Sequence, residues 1–240
     1  MVMENFEQLI SPVIAFSALI AALAGIVLIN SLFKDKIKDL FDDSNYFFFF
    51  FLCAGYTLYA LGEISWYLIS ITSVQPQANS ISDIYWSMGE MIILTAFLVF
   101  AFTMHKRYGE SQHRKSWIIL AASIGFATIM YLFFVNQNAT LPYPFGYFYL
   151  VMSSLIMIIS INIILFRQKI VQLGQSFLVI FFLANIGMLI GDALFLYINT
   201  TGTYGIAGVF SGIAYLGAYA LSALAFVVII IRFYMKGAYS

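Results

Sequence analysis

Long apolar stretches, broken by short polar clusters, account for nearly the whole chain. Crossing the hydrocarbon of a bilayer takes about 20 mostly apolar residues in a helix. Seven runs reach that length: Leu9–Phe33, Tyr46–Ile71, Ile81–Met104, Trp117–Val135, Phe145–Phe166, Phe177–Ile198 and Ile206–Phe233. Backbone polar groups in lipid must be satisfied within the segment itself, which favours helices. The alternating pattern of a membrane β-barrel strand is absent. The predicted architecture is an all-α membrane protein, a seven-transmembrane helix bundle forming a single domain over residues 1–240. The first run does not read as a cleavable signal peptide: it is too long, and Glu4 and Glu7 precede it where a basic segment would stand.

The polar breaks differ in charge. Lys34, Lys36 and Lys38 follow the first run, Lys106, Arg107, Arg114 and Lys115 join the third to the fourth, Arg167 and Lys169 join the fifth to the sixth, and Arg232 and Lys236 close the seventh. The other three connections carry no basic residue. Basic loops stay in the cytoplasm. All eleven Lys and Arg residues therefore fall on one face, with the N-terminus outside, the C-terminus cytoplasmic and an odd number of helices. The Asn138-Ala139-Thr140 and Asn199-Thr200-Thr201 triplets fall in connections assigned outside and match the N-glycosylation pattern, a short and common one.

Composition agrees with a lipid solvent: 62% of the residues are hydrophobic and 9% charged, and the mean hydropathy is +0.94. A formal net charge of zero gives no sign of a nucleic-acid partner. A plasma-membrane protein is expected, with the lipid bilayer as its first partner. The single cysteine, Cys53, can form no intramolecular disulfide.

Against this apolar background three carboxylates stand well inside predicted helices: Glu63, Glu90 and Asp192. Glu63 lies eight residues before Ile71, Glu90 nine after Ile81 and Asp192 six before Ile198. At 1.5 Å per residue all three sit roughly 9–14 Å below the outer helix ends. Asp83 lies nearer the outer mouth of its helix. Helical spacing groups Trp86 with Glu90, Tyr59 and Trp66 with Glu63, and Asn185 with Asp192, while Tyr215 and Tyr219 share a face of the last helix. The candidate ligand-binding set is therefore Glu63, Glu90, Asp192, Asp83, Trp66, Trp86, Tyr59, Asn185, Tyr215 and Tyr219. Ionised carboxylates in hydrocarbon are expensive and should face the bundle interior or water. One reading is an outward-facing site for a small ligand, a cation or protons. The other is that the acids, hydrogen-bonded to Tyr, Trp and Ser, only hold the helices together. The helices of the first reading would bring Glu63 and Glu90 face to face across the hairpin closed by Thr72–Ser80.

Several chemistries find no residues. The seventh run has no lysine in its middle for a Schiff base, and the two histidines, His105 and His113, lie at the inner connection. No HExxH segment occurs, and Ser211 and Ser222 have no histidine at outer depth. No enzymatic activity, cofactor or named metal is expected. The Gly187–Gly191 and Gly208–Gly212 pairs match GxxxG, which serves close packing inside a bundle or a homodimer. The Phe47–Phe51 run is expected to face lipid or the interface.

Leu61-Gly62-Glu63-Ile64-Ser65-Trp66, the segment Asn79-Ser80-Ile81-Ser82-Asp83-Ile84-Tyr85-Trp86, and Gly191-Asp192 with Thr201-Gly202-Thr203-Tyr204 form a further pattern. In these motifs the chain resembles the multi-helix integral membrane sensor region at the N-termini of some prokaryotic histidine kinases and diguanylate cyclases. The resemblance covers about half the chain and implies a sensor in signal transduction. Glu90 departs from it, standing where that pattern has an aromatic residue. No kinase or cyclase domain follows before Ser240, so signalling is expected to run through a separate cytoplasmic or membrane protein. A proton- or cation-coupled transporter and a structural accessory subunit remain as alternatives, although no inverted repeat is visible.

Overall fold

The computed structural model describes residues 2–33, 38, 40–72, 80–108, 144–165, 175–202 and 204–237. They form α1 (Val2–Phe33), α2 (Ser44–Ile71), α3 (Ile81–Tyr108), α4 (Pro144–Leu165), α5 (Gln175–Thr201) and α6 (Gly205–Gly237), and no strand occurs among the described residues. All six helices are long and apolar enough to cross a membrane. Their outward faces carry large bare apolar side chains, among them Leu9, Phe16, Leu23, Phe102, Ile206 and Phe210. Apolar surface on this scale needs lipid around it: this is an integral membrane protein. Helices α1–α3 are the first three predicted runs and α4–α6 the fifth to seventh. The fourth run, Trp117–Val135, lies outside the described residues, as do Asn138 and His113.

The helices outrun the apolar stretches that signalled them. α1 starts at Val2 rather than Leu9, α3 continues to Tyr108 and α6 to Gly237. Hydrophobicity marks only the part in hydrocarbon, whereas the hydrogen-bond ladder continues until capping chemistry ends it. Asp43 starts α2 by accepting from the amides of Asn45 and Tyr46. Gly202 ends α5: its φ of 66° is left-handed, and its N–H reaches Ile198 O at 2.8 Å. α5 therefore runs to Thr201, past the predicted Ile198.

Each helix packs on its sequence neighbours, α3 on α4 included, and α6 closes the ring on α1. In lipid the drive for this is close packing rather than water exclusion. Small residues mark the seams: Ala18, Ala21 and Ala22 of α1 and Ala218 and Ala225 of α6 are buried. Tyr149, early in α4, donates to the Asp83 carboxylate, early in α3, at 2.9 Å. The two helices thus run in the same direction, and the chain leaves α3 and enters α4 at opposite ends of the bundle.

The two ends differ. Where α2 and α5 begin and α1 and α3 end, aromatic rings fill the interior. Phe33 stacks on Tyr46 at 4.6 Å, Phe48 on Phe100 at 4.5 Å, and Phe49 tilts against Phe177 at 5.4 Å. Phe48 and Phe49 are each 1% exposed. This corrects, for Phe48 and Phe49, the expectation that the Phe47–Phe51 run faces lipid or the interface; Phe50 is exposed. A helix turns 100° per residue, so five consecutive phenylalanines cannot share one face; two of them turn inward here.

Candidate functional site

At the other end, where α1, α3 and α6 begin, the bundle holds a cavity of about 890 Å³, open mouth included. Its wall includes Glu63, Glu90 and Asp192, together with Tyr59, Trp66, Trp86, Tyr215 and Tyr219. Eight of the sequence-derived candidates thus share one space. It extends to Asn199 and Tyr204 at the α5–α6 turn and to Ser11 of α1.

Each carboxylate follows a glycine, and the glycines explain how the wall closes. A methyl group on Gly62 would lie 2.4 Å from the Trp86 ring, one on Gly89 2.9 Å from Tyr59, and one on Gly191 2.6 Å from Tyr215. An aromatic ring from the neighbouring helix seats on each bare backbone, while the acid beside it lines the cavity. The pairings of 62 with 86, 59 with 89 and 55 with 93 fix the α2–α3 register. In that register residue 63 stands opposite residue 85, which sets Glu90 five residues, roughly 7.5 Å along the helix, deeper than Glu63. The acids therefore form a staggered tier rather than the single layer expected from distances to the helix ends. Asp192 is the carboxylate close enough to act electrostatically on both Glu63 and Glu90.

The hydrogen bonds are unequal. Tyr219 Oη donates to Glu63 Oε1 at 2.8 Å, and Tyr215 Oη to Asp192 Oδ1 at 2.8 Å. Glu90 Oε2 and Asp192 Oδ2 are buried without a hydrogen-bond partner, as is Trp86 Nε1. Their residues are 2% exposed for Glu90 and 4% for Asp192. A buried polar atom left so is costly and asks for an explanation. The basic side chains whose surroundings are described, Lys38, Lys106 and Arg232, all lie toward the aromatic end; Arg232 donates to Ser176 Oγ there at 2.8 Å. Glu63, Glu90 and Asp192 do not converge tightly enough to ligate one metal ion.

Two candidates stand apart from the cavity wall. Asp83 is buried but is spent on structure: it accepts from Ser80 N at 2.8 Å, Ser80 Oγ at 3.0 Å and Tyr149 Oη. It forms half of a capping box for α3 and ties α3 to α4. Asn185 lies deeper. It lines a smaller cavity with Tyr56 and Ser153 and donates to Ser160 Oγ at 2.7 Å. Asn199, read as a glycosylation candidate, donates to Phe195 O within the last turns of α5.

Sequence reasoning missed Phe195 and Tyr149, which complete the wall. Phe195 meets Trp66 and Trp86 edge-on at 6.2 and 6.3 Å. It lies three residues from Asp192, on the same face of α5, and that spacing could have found it. The GxxxG glycines turn inward: Gly187 packs on Ala218, Gly208 under Tyr204 and Gly212 against Ile10. No family model, curated protein or solved structure matches this chain.

Proposed function

We propose that this protein is a membrane sensor or receptor module that takes a small polar ligand or protons from outside the cell. In this reading it passes the change to a separate signalling protein on the cytoplasmic side. One observation carries the reading: three buried carboxylates line a cavity at one end of the bundle, and aromatic packing fills the other. A cavity at one end and aromatic packing among the described residues at the other suit a sensor better than a carrier. The resemblance to kinase and cyclase sensor regions points the same way, since Glu63, Trp66, Trp86 and Asp192 of its motifs all line the cavity.

The topology proposed with it has seven crossings, the N-terminus outside and the plasma membrane as location. The parallel course of α3 and α4 supports a further crossing in Trp117–Val135, and the basic residues at the aromatic end support a cytoplasmic position for that end.

The test uses the isosteric changes Glu63→Gln, Glu90→Gln and Asp192→Asn in proteoliposomes. The other titratable groups facing the cluster are Tyr59 from α2, Tyr149 from α4, Tyr204 from the α5–α6 turn, and Tyr215 and Tyr219 from α6; α1 offers Ile10, Ser11 and Ile14. Tyrosines do not titrate on the acid side of neutrality. Lowering the external pH should therefore protonate the carboxylates and change the fluorescence of Trp66 and Trp86. Variants that fold should lose that response. Variants that keep the full response, with only lowered thermal stability, would make the acids structural.

A further inference from the structure

The cavity has two tiers. Trp66, Trp86 and Phe195 form an aromatic collar: Trp66 and Trp86 lie 5.7 Å apart, and Phe195 stands edge-on to both. Each ring sits about one turn nearer the mouth than the acid of its own helix, Glu63, Glu90 or Asp192 respectively. Trp86 packs on Gly62, level with Glu63, so the rings stand nearer the mouth than Glu90 and Asp192, while Glu63 is reached alongside Trp86.

The acid tier is also specific in what it lacks. Glu63 and Asp192 each already accept from a tyrosine. The oxygens left over, Glu90 Oε2 and Asp192 Oδ2, have no partner at hydrogen-bond distance, although the Tyr59 and Ser153 hydroxyls stand near their carboxyl groups; they belong to side chains more than nine-tenths buried that line the same cavity from α3 and α5. Two acceptors lining one cavity from the two helices that flank α4 ask for one group with at least two hydrogens to donate. Among the described residues no three carboxylate, thiol or imidazole groups are placed to share a metal ion. A quaternary ammonium has no N–H to give. An anion would meet three acids.

Building on the site proposed above, we propose that its ligand is an organic primary or secondary ammonium ion. Its N–H groups bridge Glu90 Oε2 and Asp192 Oδ2, and its carbon skeleton lies within the Trp66–Trp86–Phe195 collar. Charge-assisted hydrogen bonds fix the head group, and the ring faces add cation–π attraction and apolar contact.

The experiment is a titration of the full chain in nanodiscs, read by tryptophan fluorescence and thermal shift. The probes are benzylamine, 2-phenylethylamine and butylamine, with benzyl alcohol and benzyltrimethylammonium as controls. At least one amine should bind, about tenfold or more tighter than both controls. Glu90→Gln and Asp192→Asn should each weaken it about ten- to a hundredfold. Thr103→Ala should leave the affinity unchanged, because Thr103 lies near the inner end of α3, where it donates to Val99 O. Equal binding of the alcohol, equal binding of the quaternary ion, or no binding by any amine would each overturn the proposal. An acid-induced fluorescence change that survives such a result, and is lost in the carboxylate variants, would leave the outward-facing site standing and remove only the ligand class.

Discussion

Each intramembrane carboxylate follows a glycine, and each glycine seats a ring from the adjacent helix. Gly62 takes Trp86, Gly89 takes Tyr59 and Gly191 takes Tyr215. The glycine–acid pair is thus one device used three times: close approach at one position and a cavity-lining acid at the next. The carboxylates themselves were legible in the sequence because ionisable groups are rare in apolar helices. The glycines were not, because glycine is common in membrane helices whatever it does. Asp83 was read as part of the mouth since nothing in its spacing reveals that Ser80 and Tyr149 hold it. The device can be tested by paired substitutions. Gly62→Ala puts a methyl group 2.4 Å from the Trp86 ring, whereas Gly217 has nothing within 4 Å. Gly62→Ala should cost about 1–3 kcal/mol of stability and shift the tryptophan emission. Gly217→Ala should stay within about 0.5 kcal/mol. Thermal unfolding in one detergent, read for both variants, checks the contrast.

At the scale of elements, hydropathy located every described helix, because a span of apolar residues leaves little else for the chain to do in lipid. It failed at the ends and on the faces. α5 passes Ile198 because its stop signal is Gly202, whose backbone adopts a φ of 66°. The same turn brings Tyr204 over Gly208 and into the cavity wall. Gly202→Ala would force an alanine into the left-handed region at a cost of about 1 kcal/mol. Lower thermal stability with a changed ligand or pH response is the expected outcome, since Tyr204 is positioned by this turn. The inward face of the phenylalanine run was equally hidden. Helices that are apolar all round carry no stripe to mark the core side. Only packing partners such as Phe100 and Phe177 settle that Phe48 and Phe49 turn inward.

The six described helices form a ring with unlike ends. Aromatic stacking fills one end, and the other holds a cavity lined by three acids and an aromatic collar. Sequence reasoning reached the association of acids and aromatics, because helical spacing alone put them on shared faces. It did not reach the stagger of Glu63 and Glu90, which depends on the α2–α3 register. The account stands on access from one side only. In a Cys53→Ser background, Asn199→Cys places a thiol at the mouth and Ser160→Cys one deep in the bundle. A membrane-impermeant thiol reagent applied to intact cells is the most direct measurement. It should label Asn199→Cys from outside and leave Ser160→Cys untouched. Labelling of Asn199→Cys only after the cells are opened, or labelling of Ser160→Cys from either side, would contradict an outward-facing site closed at its inner end.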